Sequence, residues 1–226
     1  MKLWDKGVPV NEVIEAFTVG RDREMDLYLA ESDILGTIAH ITMLQSIGLL
    51  QQLELSDLKK ALVAIYQDVK NGDFSIEPGV EDVHSQVEVL LTRRLGDTGK
   101  KVHSGRSRND QALLDIRLYT RDCLLAVASE TLSLFEVLQS QSDTYKDVLL
   151  PGYTHLQVAM PSSFGLWFGA YAEALADDLQ LLLSAYKINN QNPLGSAAGY
   201  GSSFPLNRTL TTELLGFDDL NYNVVY

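Results

Sequence analysis

Apolar residues recur at three- and four-residue spacing through Ile34–Leu49, Leu58–Val69, Val83–Leu95, Leu113–Leu138 and Phe164–Ile188, the period of an amphipathic helix. Strand-like alternation is nearly absent. The punctuation agrees: Gly48 follows the first run, Asn71-Gly72 closes the second, and Ser56 before Asp57 is suited to capping a helix start. Neither Gly nor Pro occurs from Arg106 to Leu150 or from Ala170 to Asn192, so both segments are predicted to form helices longer than the globular mean. In the first of them Leu113, Ile116, Leu118, Leu125, Leu132 and Phe135 occupy too much of the girth for one solvated face. Partner helices, from this chain or from other copies, should cover it.

The reading that follows is a mainly α protein, with an N-terminal helical domain over residues 1–105 and, over 106–226, the first part of a bundle of long helices. Pro151-Gly152 and Asn192-Pro193, the latter followed by the Gly- and Ser-rich stretch Gly195–Ser203, separate the later helices. The last residues, Asn221–Tyr226, carry neither a helix terminator nor a polar tail, which reads as the edge of a longer native chain.

Composition narrows the function. At 226 residues and 46% hydrophobic content, the chain has material for a sizeable core. No apolar run approaches the roughly 20 residues that cross a bilayer, and the first residues, MKLWDKGVPVNEV, lack a secretory pattern, so a cytoplasmic protein without a membrane partner is expected. The single cysteine, Cys123, cannot form an internal disulfide and, lying in an apolar helical stretch, is expected in the core. A net charge of -12 without a basic stripe excludes a nucleic-acid partner. An anionic substrate would therefore need local positive potential from a few arginines, amide dipoles or helix N-termini.

Four segments carry chemistry. His103–Gln111 sets Arg106, Ser107, Arg108, Asn109 and Asp110 around Gly105 at the start of a long helix. Ser107 or Asn109 can cap that helix, and its free N–H groups together with Arg106 or Arg108 suit a carboxylate; a polar turn whose caps and ion pairs are structural fits equally well. Pro151–Pro161 holds Thr154 beside His155 on a proline-bounded connection. It offers either a general acid or base, or a satisfied turn histidine. Pro193–Ser203 is a cradle for an anion or a close-packing turn; it has neither the lysine of a phosphate loop nor a preceding dinucleotide-type strand. In Glu81-Asp82-Val83-His84 the acids read as first-turn residues opposing a helix dipole, and His84 lacks the spacing of a metal ligand, so no metal is expected.

Together Leu29-Ala30-Glu31 with Asp33, Glu81–His84, Ser104–Gln111, Gly152–Gln157 and Pro193–Ser196, in this order, resemble the argininosuccinate lyases of the aspartase and fumarase superfamily over nearly the whole chain. The resemblance implies long helices assembled into a homotetramer of the aspartase/fumarase type, with active sites shared between subunits and no cofactor. It implies β-elimination of argininosuccinate to arginine and fumarate, with His155 and Thr154 catalytic. Ser107, Arg108, Asn109, Thr154, Asp82, His84 and Gln157 would bind or line the substrate site. His155 would act as general acid or its relay, or as the base.

The first segment reads Leu3-Trp4-Asp5-Lys6-Gly7-Val8 where the family has Leu-Trp-Gly-Gly-Arg-Phe, and the serine expected before Leu29 is absent, leaving Thr18, Arg21 or Asp22 to substitute. The family loop Gly-Ser-Ser-x-Met-Pro-x-Lys-x-Asn-Pro, source of a catalytic serine and a substrate-binding lysine, does not occur; Gly201-Ser202-Ser203-Phe204-Pro205 is only an echo of it. Two other readings stand beside this one: a non-catalytic helical structural or oligomerisation protein of the same family, and a related fumarate-releasing lyase.

Overall fold

A computed structural model of the chain describes residues 12–226; the segment at residues 3–8 lies outside them. In chain order the elements are α1 (Glu12–Val19), α2 (Asp22–Asp26), α3 (Ala30–Ser46), α4 (Gln52–Asn71), α5 (Val83–Leu95), α6 (Asp97–Lys100), α7 (Arg108–Thr144), β1 (Leu149–Thr154), β2 (Gln157–Ser163), α8 (Phe164–Asn189), β3 (Gln191–Asn192), α9 (Arg208–Leu214) and β4 (Asp219–Leu220). The five predicted helices are all present, and the protein is mainly α.

The described residues fall into two compact units. One comprises the chain up to Tyr119 together with Asn190–Tyr226; the other is Thr120–Asn189. In the first, Ile34, Ile41 and Leu44 of α3 meet Leu58, Leu62 and Ile65 of α4, with Val87 and Leu91 of α5 closing the core. A smaller cluster joins Leu114 and Leu118 to Leu194 and Phe217. Two glycines set the closeness of this packing. A Cβ on Gly36 would lie 2.6 Å from Leu114 Cδ2, and one on Gly99 would lie 2.6 Å from the Leu91 and Thr92 backbone. Strands β3 and β4 pair in parallel, Gln191 opposite Asp219, and bring the last segment back to the loop after α8.

The second unit is built from the rest of α7, the β1–β2 hairpin and α8. The hairpin is antiparallel and pairs Pro151 with Pro161, so neither proline costs a ladder hydrogen bond inside a wider sheet. Its two-residue turn places His155 and Leu156 at φ 51° and 63°. Two consecutive positive φ values match the twist of a tight hairpin, and adopting them without glycine costs backbone energy. Gly165 lets α8 approach α7: a Cβ there would lie 2.5 Å from Lys146 Cα and from Ser142 O.

Some local expectations are corrected. Ser56 lies inside α4, which starts at Gln52 with a reciprocal capping box between Gln51 and Glu54. Asp82 is the N-cap of α5 rather than a first-turn acid, because its side chain accepts the Ser85 N–H at 2.9 Å. Cys123 is exposed, as are Leu125 and Leu132 at 52% each, since nothing among the described residues covers that stretch of α7. The same stretch makes α7 long and apolar enough, by length and composition alone, to cross a membrane.

Candidate active site

The start of α7 is organised by Asp110. Its Oδ1 accepts the Ser107 N–H at 2.9 Å, and its Oδ2 accepts the N–H groups of Gly195 and Ala197, both at 2.9 Å. The turn after α8 is therefore an anion cradle, as its composition allows, but the anion it holds is the protein's own carboxylate. Ser107 is the cap: its Oγ accepts the Asn109 N–H at 3.2 Å and its carbonyl the Gln111 N–H. Arg208 ties the same turn down by donating to the carbonyls of Leu194, Asn192 and Asn221. The consequence is a polar hollow of about 140 Å³ with Asn109, Ser196, Gly199 and Asn221 on its walls.

Arg108 leans the other way. Its Nε lies 3.0 Å from Asp82 Oδ2, its Nη1 3.3 Å from Glu81, and its Nη2 donates to Ser85 Oγ at 3.2 Å. Asp82, His84, Ser107, Arg108 and Asn109, drawn from two sequence segments, are thus gathered in one unit. Thr154, His155 and Gln157 sit at the hairpin tip of the other unit, where all three are exposed and Leu156 is 98% exposed. Of the suggested substitutes for the missing serine, Thr18 donates to Ile14 O within α1, and Arg21 pairs with Glu24 at 2.9 Å.

Beneath His84 lies a buried polar cluster whose members are far apart in sequence. Asp33 Oδ1 accepts from His84 Nδ1 and from Gln111 Nε2, both at 2.5 Å, and Asp115 Oδ2 is 3.4 Å from the same imidazole nitrogen. Asp33 and Asp115 are both fully buried. Arg106, with its Nε sealed from solvent, donates from Nη1 to Thr37 Oγ1 at 3.0 Å, and His40 donates from Nε2 to the Ser104 carbonyl at 2.9 Å. Burial alone would raise Asp33, but the hydrogen bonds of His84 and Gln111 and the charge of Arg106 leave it below the ordinary carboxylate value. Burial, and then the neighbouring Asp33, push Asp115 well above it. Burial beside Arg106 holds the His40 imidazole down at about 3. A signal existed in sequence: Asp115 is four residues after Gln111 on one helix face.

Asp33, His84 and Asp115 are the residue types of a metal centre, and their donor atoms lie within 4.8 Å of one another. The imidazole Nδ1 is occupied by its bond to Asp33, however, and Arg106 already supplies positive charge to both carboxylates.

A family model described as a lyase matches residues 5–223. The argininosuccinate lyase of Bacteroides thetaiotaomicron is 69% identical over the whole of this chain, which corresponds to 50% of that protein. Among solved structures, an EDDS lyase in complex with formate has a TM-score of 0.78 at 29% identity, over 97% of this chain and 43% of its own. A class II fumarase from Schistosoma mansoni shares the fold, with a TM-score of 0.72 at 19% identity over 92% of this chain and 49% of its own. The expected aspartase/fumarase-type architecture is therefore present, and the chain spans about half the length of the curated relatives it matches. With the family model matching almost end to end, the chain belongs to the lyase family.

Proposed function

We propose that the protein carrying this chain is an argininosuccinate lyase of arginine biosynthesis, cytoplasmic and homotetrameric. The observation that carries the reading is 69% identity to an argininosuccinate lyase across the full chain. Its polar helix start at Ser107–Asn109 and its strained Thr154-His155 tip supply the residue types that the reaction requires.

The elimination begins with transfer of a proton from carbon next to a carboxylate to a base, the role assigned to the catalytic serine of the family loop that does not occur in these residues, leaving charge delocalised as an aci-carboxylate. Amide dipoles, hydroxyls and guanidinium stabilise that charge, the role assigned to Ser107, Arg108, Asn109 and the N-terminus of α7. The carbon–nitrogen bond then breaks, and the departing guanidino nitrogen takes up a proton. His155, steadied by Thr154 and Gln157, delivers it directly or through a relay, in a site that different subunits share and to which Asp82 and His84 contribute lining. Neither electron transfer nor a Lewis acid is required for this sequence of steps, so no cofactor is assigned. The serine and lysine of the family loop are not among these residues, so the site is completed by residues from outside this chain.

The likeness to EDDS lyase supports a second reading, a fumarate-releasing lyase for another succinyl-substituted amine. Fumarate release by the full-length protein from argininosuccinate, but not from adenylosuccinate, malate or aspartate, is the expected result. Release from a different succinyl amine alone would replace the first reading with the second.

A further inference from the structure

We propose that Asp33 and Asp115 share a single proton and hold His84 by its Nδ1–H, so that Nε2 is the atom His84 offers to a bound ligand. Asp33 and Asp115 are then positioning residues that act through His84, and the ligand group that fits is an N–H donor such as an amine or a guanidinium. This rests on the reading of His84 as lining the substrate cleft.

The buried, unpartnered oxygens favour a shared proton. Asp115 is fully buried, and neither of its oxygens has a hydrogen-bond partner; Asp33 Oδ2 is equally sealed and unpartnered. An ionised Asp115 would be a second buried carboxylate beside the first, with nothing donating to it. A proton on Asp115 removes that charge and provides the donor that Asp33 Oδ2 lacks, across a cluster whose ligand atoms lie within 4.8 Å. Position is fixed on both sides. Asp115 Oδ1 faces Gly36 of α3, where a Cβ would stand 3.7 Å away, and Asp33 is held by Gln111 as well as His84.

Arg106, from the turn before α7, is a cation that faces both Asp33 and Asp115, and it also faces Asp110 and Glu88. Asp26 from α2 and His84 from α5 are the other charged or titratable groups that act on the pair. On the imidazole, Nδ1 is bonded to Asp33, whereas Nε2 has no partner among the described residues and is not sealed from solvent. The His84 side chain as a whole is 9% exposed.

The test is NMR of the full-length protein labelled with ¹³C in aspartate carboxyls and ¹⁵N in histidine, at neutral pH. The expected result is one protonated aspartate carboxyl that vanishes in Asp115→Asn, with His84 carrying its proton on Nδ1 and none on Nε2 in both proteins. Asp33→Asn should lose the single His84 tautomer. Asp33→Asn, which alters the acceptor that holds Nδ1–H, should lower kcat/KM by about tenfold or more. Two ionised carboxyls in the parent protein, or a proton on Nε2 with Nδ1 bare, would overturn the proposal. So would stoichiometric Zn²⁺ uptake that displaces the Nδ1 proton. The tautomer is read without turnover, so an inactive protein showing it sinks the lyase reading while leaving the buried arrangement intact.

Discussion

At the scale of single residues, burial decides what the charges do. His40 is fully buried, and its value of about 3 lies far below the ordinary 6.5. Between those values the unfolded chain binds a proton that the folded chain does not. The contribution of neutral His40 to stability is therefore complete above 6.5 and lost as the pH falls toward 3, by at most about 1.4 kcal/mol per pH unit. Asp115 has the opposite sign, since a raised carboxyl stabilises at low pH and loses that contribution as the pH rises through its folded value. Comparing urea midpoints of the parent and His40→Gln over this range isolates the histidine. A shallower acid limb in the variant is expected, and equal slopes would contradict the assignment. Ser107 and the polar start of α7 were legible in sequence because capping is local. Asp110 was not: its partners Gly195 and Ala197 lie far along the chain, and only the fold shows that the glycine-rich turn is already filled.

At the scale of elements, helices were legible because their apolar faces repeat at helical spacing and bury into one core. The β1–β2 hairpin was not, because both of its faces are largely exposed, leaving no period-2 pattern, and a proline sits in each strand. Helix approach depends on glycines that no periodicity reveals. Alanine at Gly99 would meet the Leu91 backbone, which cannot turn aside, whereas at Gly36 it would meet the end of the Leu114 side chain. Gly99→Ala is expected to destabilise by about 3 kcal/mol and Gly36→Ala by about 1–2 kcal/mol, measured by chemical denaturation. The reverse order would show that α5 and α6 separate more easily than the packing implies.

For the whole molecule, the exposed apolar length of α7 and α8 is the strongest clue to assembly. Leu125 and Leu132, seven residues apart on one face of α7, and Leu166 and Leu181 on α8 are all more than half exposed. Such a surface fits burial against other helices. Sedimentation of the full-length protein is expected to show one associated species of four chains, with Leu125→Glu/Leu132→Glu shifting it to smaller ones. An unshifted variant would remove that face from the assembly.

The central claim is that the Thr154-His155 tip works on argininosuccinate, and it is tested most directly by fumarate release from argininosuccinate by the full-length protein and its His155→Asn variant. Turnover in the parent and a loss of about a hundredfold or more in kcat for the variant are expected, with substrate binding retained through the α7 start. Equal turnover in the two proteins, or none in the parent, would contradict it.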